Sequence, residues 1–266
     1  MSAVQENVTE APAIDAVPKR AMTLGLGASL TVLALLLIFP LIFFFLRDEA
    51  STTQQQRTVA RATLPGLEIR AAILSTQFLR IALSALIMTV AMAGLNVHFA
   101  PMIMARGVGA NTAAAAAGCI GITSILGRLC TGVLLDRWNG PVIGAITFSL
   151  PLVAAALWLN YDGSVPSALI MAATVGFSLG AEIDIIAYLS TQYFGLKNYG
   201  TIFGTVVGVL VFGGGVGPTL AGIVYDRTHS YSFFVWCAIP AFLLAAVLIG
   251  SLGAYPGFRN ARTTVN

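Results

Sequence analysis

The chain has 266 residues, of which 57% are hydrophobic and only 9% are charged, with a net charge of +3. Soluble domains carry about 25% charged residues, so this composition leaves too little polar surface for a water-soluble globule and argues against a soluble enzyme, a nucleic-acid binder or a disordered chain. A mean hydropathy of +0.86 makes a lipid bilayer its expected solvent and first partner.

Residues 1–20 are polar and slightly acidic through Glu6, Glu10 and Asp15. No basic segment precedes the first apolar stretch, so this is not a secretory signal, and a disordered segment is expected. A membrane-spanning helix needs about 20 apolar residues, and seven spans are predicted. The first covers 21–46. A polar linker rich in Thr, Gln and Arg follows at 47–70. The second covers about 71–104. The third covers 112–135, with Asn111 as its N-cap. The fourth is 141–159, the fifth 166–194, the sixth 199–225 and the seventh 232–252. Pro141 and Pro166 suit the first turn of a helix, where a missing N–H costs little. A polar tail closes the chain at 254–266. The later loops are tight, so the long linker separates one helix from a six-helix unit at 71–253. Cys119, Cys130 and Cys237 are odd in number and lie in apolar runs, which supports neither a disulfide scaffold nor a metal set.

Lys and Arg set the expected orientation. Arg47, Arg57, Arg61, Arg70, Arg137, Lys197, Arg259 and Arg262 fall on one side, and Lys19, Arg20, Arg106 and Arg227 on the other. The first side is taken as cytoplasmic, which puts the N-terminus outside and the C-terminus inside. Gly132-x-x-x-Asp136-Arg137 then closes the third span, and Gly222-x-x-x-Asp226-Arg227 closes the sixth at the opposite face. These are the middle members of spans two to four and five to seven, as a three-plus-three inverted repeat requires.

Gly127-Arg128-Leu-Cys-Thr-Gly132-Val-Leu-Leu-Asp136-Arg137-Trp-Asn-Gly140 resembles the loop motif of the major facilitator superfamily, in its C-terminal-half copy. Gly180-Ala-Glu182-Ile-Asp184-Ile-Ile-Ala-Tyr188, Tyr193-Phe194-Gly195, Tyr199-Gly200, Asn96-Val-His98-Phe-Ala-Pro101, Gly217-Pro218 and Tyr225-Asp226 are similar to the bacterial monocarboxylate and oxalate/formate-type branch. The resemblance implies an all-α membrane protein whose seven spans match helices six to twelve of a twelve-helix transporter. Six of them would form one half of the fold. It also implies a small organic anion, such as a carboxylate, moved by proton symport or anion exchange across a plasma (inner) membrane. Its site would lie between two six-helix halves, so a second copy or a separate N-terminal half is an expected partner.

Charges inside spans are costly and need a reason. Glu182 stands 16 residues after Pro166, about 24 Å along the fifth span, with Asp184 just beyond and Arg128 at a similar depth. Three readings stay open for this group: a gating or structural ion-pair network that includes Asp136 and Arg137, a proton carrier at Glu182, or a substrate contact. Arg80 either snorkels to the headgroups or draws anions to the mouth. Asn96 and His98 either bond between helices or line a cavity and touch substrate. Thr123 and Ser124 have a weaker claim to substrate, since such hydroxyls often bond their own helix.

Gly200, Gly204 and Gly208 read as a packing face, as do Gly132 and, on the fifth span, Gly176 and Gly180. The run Gly213-Gly214-Gly215-Val216-Gly217-Pro218 reads as a bend or unwound segment, with packing and a moving hinge both open. The sixth span has no lysine for a dianion clamp, which favours a monoanion. There is no nucleophile triad, metal-ligand cluster or phosphate loop, so no catalytic residue and no cofactor is expected. The rival reading is a non-transporting seven-span interaction or assembly subunit.

Overall fold

In a bilayer every backbone N–H and C=O must find its partner inside the protein, and an uninterrupted apolar run does so as a helix. The computed structural model describes residues 64–256 together with Leu36. The span expected at 21–46, the segment 1–20, most of the linker and the tail past residue 256 lie outside the described residues. The described helices are α1 (Ile69–Ile73), α2 (Thr76–Met104), α3 (Ala110–Arg137), α4 (Gly140–Ser149), α5 (Pro151–Leu159), α6 (Val165–Phe194), α7 (Tyr199–Thr228) and α8 (Ser232–Gly250). By length and composition α2, α3, α4 with α5, α6, α7 and α8 can each cross a membrane.

Several boundaries differ from expectation. The second span is broken near its start. Ser75 adopts an extended backbone, and its Oγ accepts from the Phe78 N–H at 3.2 Å, which caps α2 and leaves Ile69–Ile73 as a separate short turn of helix. Gly109, not Asn111, is the N-cap of α3, because the backbone becomes helical at Ala110. The fourth span divides at Pro151, which has no N–H for the Thr147 carbonyl four residues back. Ser178 Oγ of α6 donates to that carbonyl at 2.6 Å. The glycine run before Pro218 is not unwound, since α7 is helical throughout Tyr199–Thr228. Its neighbours α2 and α8 likewise carry Pro101 and Pro240 inside continuous helices.

Two helix pairs pack most extensively, α3 on α6 and α2 on α7. A pseudo-two-fold that exchanges the first three-span repeat with the second turns one of these pairs into the other. The seams are alike in chemistry. A methyl on Gly127 would overlap the Phe177 carbonyl, and one on Gly217 would overlap the Val90 carbonyl. Gly127 and Gly217 each stand five residues before the motif glycines Gly132 and Gly222, so the repeat is longer than its Gly-x-x-x-Asp-Arg core. On the first seam Gly176 meets Thr123 and Ile120, and Gly180 meets the Ser124 backbone; on the second Gly213 lies 3.3 Å from the Leu86 carbonyl at its would-be Cβ. Ser84 Oγ of α2 donates to Ala245 O of α8 at 2.8 Å, and Ile81, Met88, Phe148, Met171 and Phe242 fill the core between these helices.

Other glycines do not pack. Nothing described lies within 4 Å of a methyl placed on Gly132, Gly200, Gly204 or Gly208. The reason is helical phase: the row 200, 204, 208 points away from α2, whereas 213 and 217 point into it. Apolar Ile122, Ile125 and Leu129 on α3, and Val211 and Phe212 on α7, are exposed in the same way.

At one end of the bundle Gly66 bridges Gly195. The Leu67 N–H donates to Phe194 O at 2.9 Å, the Leu196 N–H to Pro65 O at 3.0 Å, and Lys197 Nζ reaches Glu68 at 2.5 Å. Gly195 has φ +73 and would drive a Cβ into Gly66, so only glycine suits it. Tyr193 OH donates to Gly253 O at 2.5 Å and the Gly140 N–H to Tyr255 OH at 2.8 Å. At the other end the Ser164 N–H donates to Asp162 Oδ1 at 3.0 Å, which holds that carboxyl below its usual range, and the Arg106 guanidinium lies 5.1 Å over the Trp158 ring.

Gly127→Ala and Gly217→Ala should each lower the unfolding temperature in detergent, since overpacking a tight contact costs about 1–3 kcal/mol. Gly204→Ala and Gly208→Ala should hold or raise it, because Ala is favoured over Gly in a helix by about 1 kcal/mol. Equal losses at all four positions would show that the open row is packed after all.

Candidate functional site

Residues two apart on a helix point to different neighbours. That rule separates the two carboxylates of α6, which runs between α2 and α3. Asp184 faces α3, where its Oδ2 lies 3.3 Å from Arg128 Nε. Glu182 faces α2, is only 6% exposed, and accepts from Thr89 Oγ1 at 2.5 Å. Of the two carboxylates that lie at a depth similar to Arg128, it is Asp184 and not Glu182 that pairs with it. Among the described residues no cation lies within ion-pair distance of Glu182.

The Arg128–Asp184 pair is open, with side chains 60% and 34% exposed. Arg128 lies on the uncovered face of α3 among Ile125, Leu126 and Leu129. Among the described residues one carboxylate at a single contact leaves most of the Arg128 guanidinium donors unanswered. Asp136 and Arg137 do not join this pair among the described residues. They stand about 12 Å further along α3, at its exposed end. Arg80 is tied down: its Nη1 donates to Ser251 O just past α8.

The other polar positions divide by the same geometry. Asn96 and His98 do not share a face. His98 Nε2 lies 3.1 Å from Pro218 O and Nδ1 lies 3.1 Å from Tyr231 OH. A carbonyl can only accept, so Nε2 carries the proton and Nδ1 accepts from the tyrosine hydroxyl. His98 is thus an interhelix bond between α2, α7 and the residue that caps α8. Asn96 is half-buried, with no described side-chain partner. Thr123 Oγ1 bonds Cys119 O of its own helix at 2.8 Å, and Ser124 contributes its backbone to the Gly180 contact. The Thr123 hydroxyl is thus engaged by its own helix, while the Ser124 hydroxyl has no described partner.

Sequence reasoning missed Thr89 and Tyr231. Thr89 sits in the run Leu86-Ile87-Met88-Thr89-Val90 and reads like any hydroxyl bonded to its own helix. Tyr231 reads as an interfacial aromatic. Nothing but the helix phases of α2 and α8 marks them. The described residues hold no group of three or more His, Cys, Asp or Glu side chains fit for a metal. A cavity of about 510 Å³ between α2, α7 and α8 is lined by apolar side chains such as Val90, Phe212, Leu220 and Phe233 and holds none of these charges.

Thr89→Val strands the buried carboxyl and should cost about 1–3 kcal/mol in detergent melts. Glu182→Gln keeps an acceptor opposite Thr89 and should cost less. A larger loss from Glu182→Gln would mean that charge, not this hydroxyl, holds the residue in place.

Comparison with known proteins fits this architecture. The sequence pattern of the Major Facilitator Superfamily matches residues 23–218. Monocarboxylate transporter 10 of Danio rerio is 31% identical over 142 residues, 49% of this chain and 26% of that protein. Monocarboxylate transporter 12 of Homo sapiens is 26% identical over 182 residues, 67% of this chain and 35% of that protein. A riboflavin transporter of Saccharomyces cerevisiae is 23% identical over 169 residues, 62% of this chain and 32% of that protein. The chain thus spans about a quarter to a third of the length of these curated relatives. With a match across most of its length and six apolar helices arranged as paired repeats, this multi-pass membrane protein belongs to the major facilitator superfamily, a superfamily of transporters and not of enzymes.

Proposed function

We propose that the chain is the C-terminal half, preceded by one helix, of a secondary transporter for a small organic anion, a carboxylate of the monoanion class. The observation that carries this reading is Arg128. A guanidinium in the middle of a membrane helix, 60% exposed, has no place against lipid and needs water or protein beside it. Asp184 answers it at one point only. An arriving carboxylate offers the bidentate partner that suits a guanidinium best and displaces Asp184. The pair therefore serves as anion site and gate at once. Glu182 is the residue to exchange a proton, because a buried carboxyl without a cation is relieved by taking one up. Proton symport and anion exchange both fit this arrangement.

The uncovered faces of α3 and α7 are where a second six-helix half would pack, from another chain, a longer protein or a second copy. Alternating access would then rock the halves about the site. Placement in the bacterial oxalate/formate-type branch rests on the motifs around Glu182 and Tyr193. The charge bias puts the Gly66–Gly195 end in the cytoplasm of a cell with its plasma (inner) membrane as host, the N-terminus outside and the C-terminus inside. In the rival reading the same faces bind a partner in a non-transporting assembly.

Purified protein should bind a radiolabelled monocarboxylate such as lactate saturably, and Arg128→Gln should weaken it about 10- to 100-fold. Asp184→Asn should bind at least as well as the parent. Absence of binding in folded protein would sink the carboxylate reading and favour the assembly subunit. In vesicles the chain alone should show no counterflow, since one wall of the cavity is lacking. A cysteine at Asp162 should react with impermeant reagent from outside intact cells and one at Leu196 should not; the reverse result overturns the orientation.

A further inference from the structure

Besides the Thr123 hydroxyl, which also reaches Ala172 O across the first seam at 3.5 Å, each seam carries a polar contact next to its glycine, and the repeat register relates these two. Arg128 directly follows Gly127, and Pro218 directly follows Gly217. These are the glycines that meet Phe177 on α6 and Val90 on α2. Asp184 is seven residues past Phe177, and His98 is eight past Val90, both about two turns on. So the residue after the seam glycine on the middle helix of one repeat meets a side chain two turns along the first helix of the other, in both seams. In the first seam the contact is Arg128 to Asp184 at 3.3 Å. In the second it is the Pro218 carbonyl to His98 at 3.1 Å. Because the repeats are inverted, Asp184 lies toward the Phe194 end of α6 and His98 toward the Met104 end of α2, at opposite ends of the bundle.

We propose that these are two copies of one device: a lock that pins the free end of the first helix of each repeat against the middle helix of the other. Each lock releases its own end of the bundle independently. His98, Tyr231 and the Pro218 carbonyl form the lock at the Asp162 end, the counterpart of Arg128–Asp184 at the Gly66–Gly195 end. Two details make the second lock a built contact. Tyr231 is buried, donates to His98 Nδ1 and stacks on Tyr225 of α7 with ring centroids 4.5 Å apart. Gly222, the motif glycine of α7, faces the same imidazole, and a methyl there would stand 4.0 Å from it. The lock therefore gathers α2, α7 and the cap of α8 on one ring. In the transport reading, on which the role of these locks rests, movement of α2 opens the outer mouth and movement of α6 the inner one.

The test uses the full chain in lipid nanodiscs with Cys119, Cys130 and Cys237 replaced. Nitroxide pairs at Met104 with Thr228 and at Trp138 with Leu196 report the two ends by pulsed-EPR distances. His98→Ala should abolish the single narrow distance of the Met104–Thr228 pair and leave Trp138–Leu196 narrow; Asp184→Ala should do the reverse. His98→Gln should restore the narrow distance, because its amide can donate to Pro218 O and accept from Tyr231. Tyr231→Phe, which removes one hydroxyl, gives a partial effect and serves if His98→Ala fails to fold. Unchanged Met104–Thr228 distances in both His98→Ala and Tyr231→Phe, or equal broadening at both ends, overturn the proposal. The distances need no substrate. Locks that behave as expected in protein that binds no monocarboxylate would refute the transport reading alone, whereas binding with unaltered distances would refute the locks alone.

Discussion

The structure depends on the approach of two backbones at Gly127–Phe177 and at Gly217–Val90. Lipid tails are as apolar as leucine, so no hydrophobic force draws one helix to another within a bilayer. What remains is close contact and the few polar bonds that close contact permits. A side chain at either glycine would hold the helices apart by more than a methyl radius, and the bonds across the seams would lengthen out of range. The Arg128–Asp184 and His98–Pro218 contacts both stand on the spacing that these glycines set.

That spacing also assigns the charges. α6 lies between α2 and α3, so the step from residue 182 to residue 184 decides which neighbour each carboxylate meets. One is buried against a hydroxyl and the other is open beside a guanidinium. Two carboxyl groups two residues apart are thereby placed in different dielectric surroundings. This is how one helix can carry both a charged partner for Arg128 and a carboxyl group set apart from every described cation.

Much of the fold was legible in the sequence. Apolar length found every described span, and the Gly-x-x-x-Asp-Arg repeat marked α3 and α7 as matched middle helices. The misses share a cause. Depth along a helix can be counted from sequence, but azimuth cannot be read until the neighbours are placed. Arg128 and Glu182 are at similar depth, yet Glu182 faces the wrong helix to pair. Gly200, Gly204 and Gly208 make the stronger pattern, yet Gly213 and Gly217 make the contact. Pro218 and Pro151 look alike as helix breakers. Only Pro151 ends an assigned helix, and the carbonyl it frees is answered by Ser178 from another span.

The two seams are alike in register and unequal in chemistry. Around His98 the partners are a carbonyl, a buried phenol and a glycine, and both ring nitrogens have a partner. The imidazole itself is half-buried, and a polar group whose bonds are satisfied is tolerated there. Arg128 and Asp184 are formally charged and single-contacted, which a dry interior would not tolerate. Their exposure on the uncovered face of α3 removes that cost by admitting water or a partner. The two repeats therefore give this bundle a joint around an imidazole and an ionic joint at opposite ends. Among the described residues the Arg128–Asp184 joint leaves guanidinium donors without a partner, whereas both ring nitrogens of His98 have one, so the register that builds the two ends alike does not fix their chemistry.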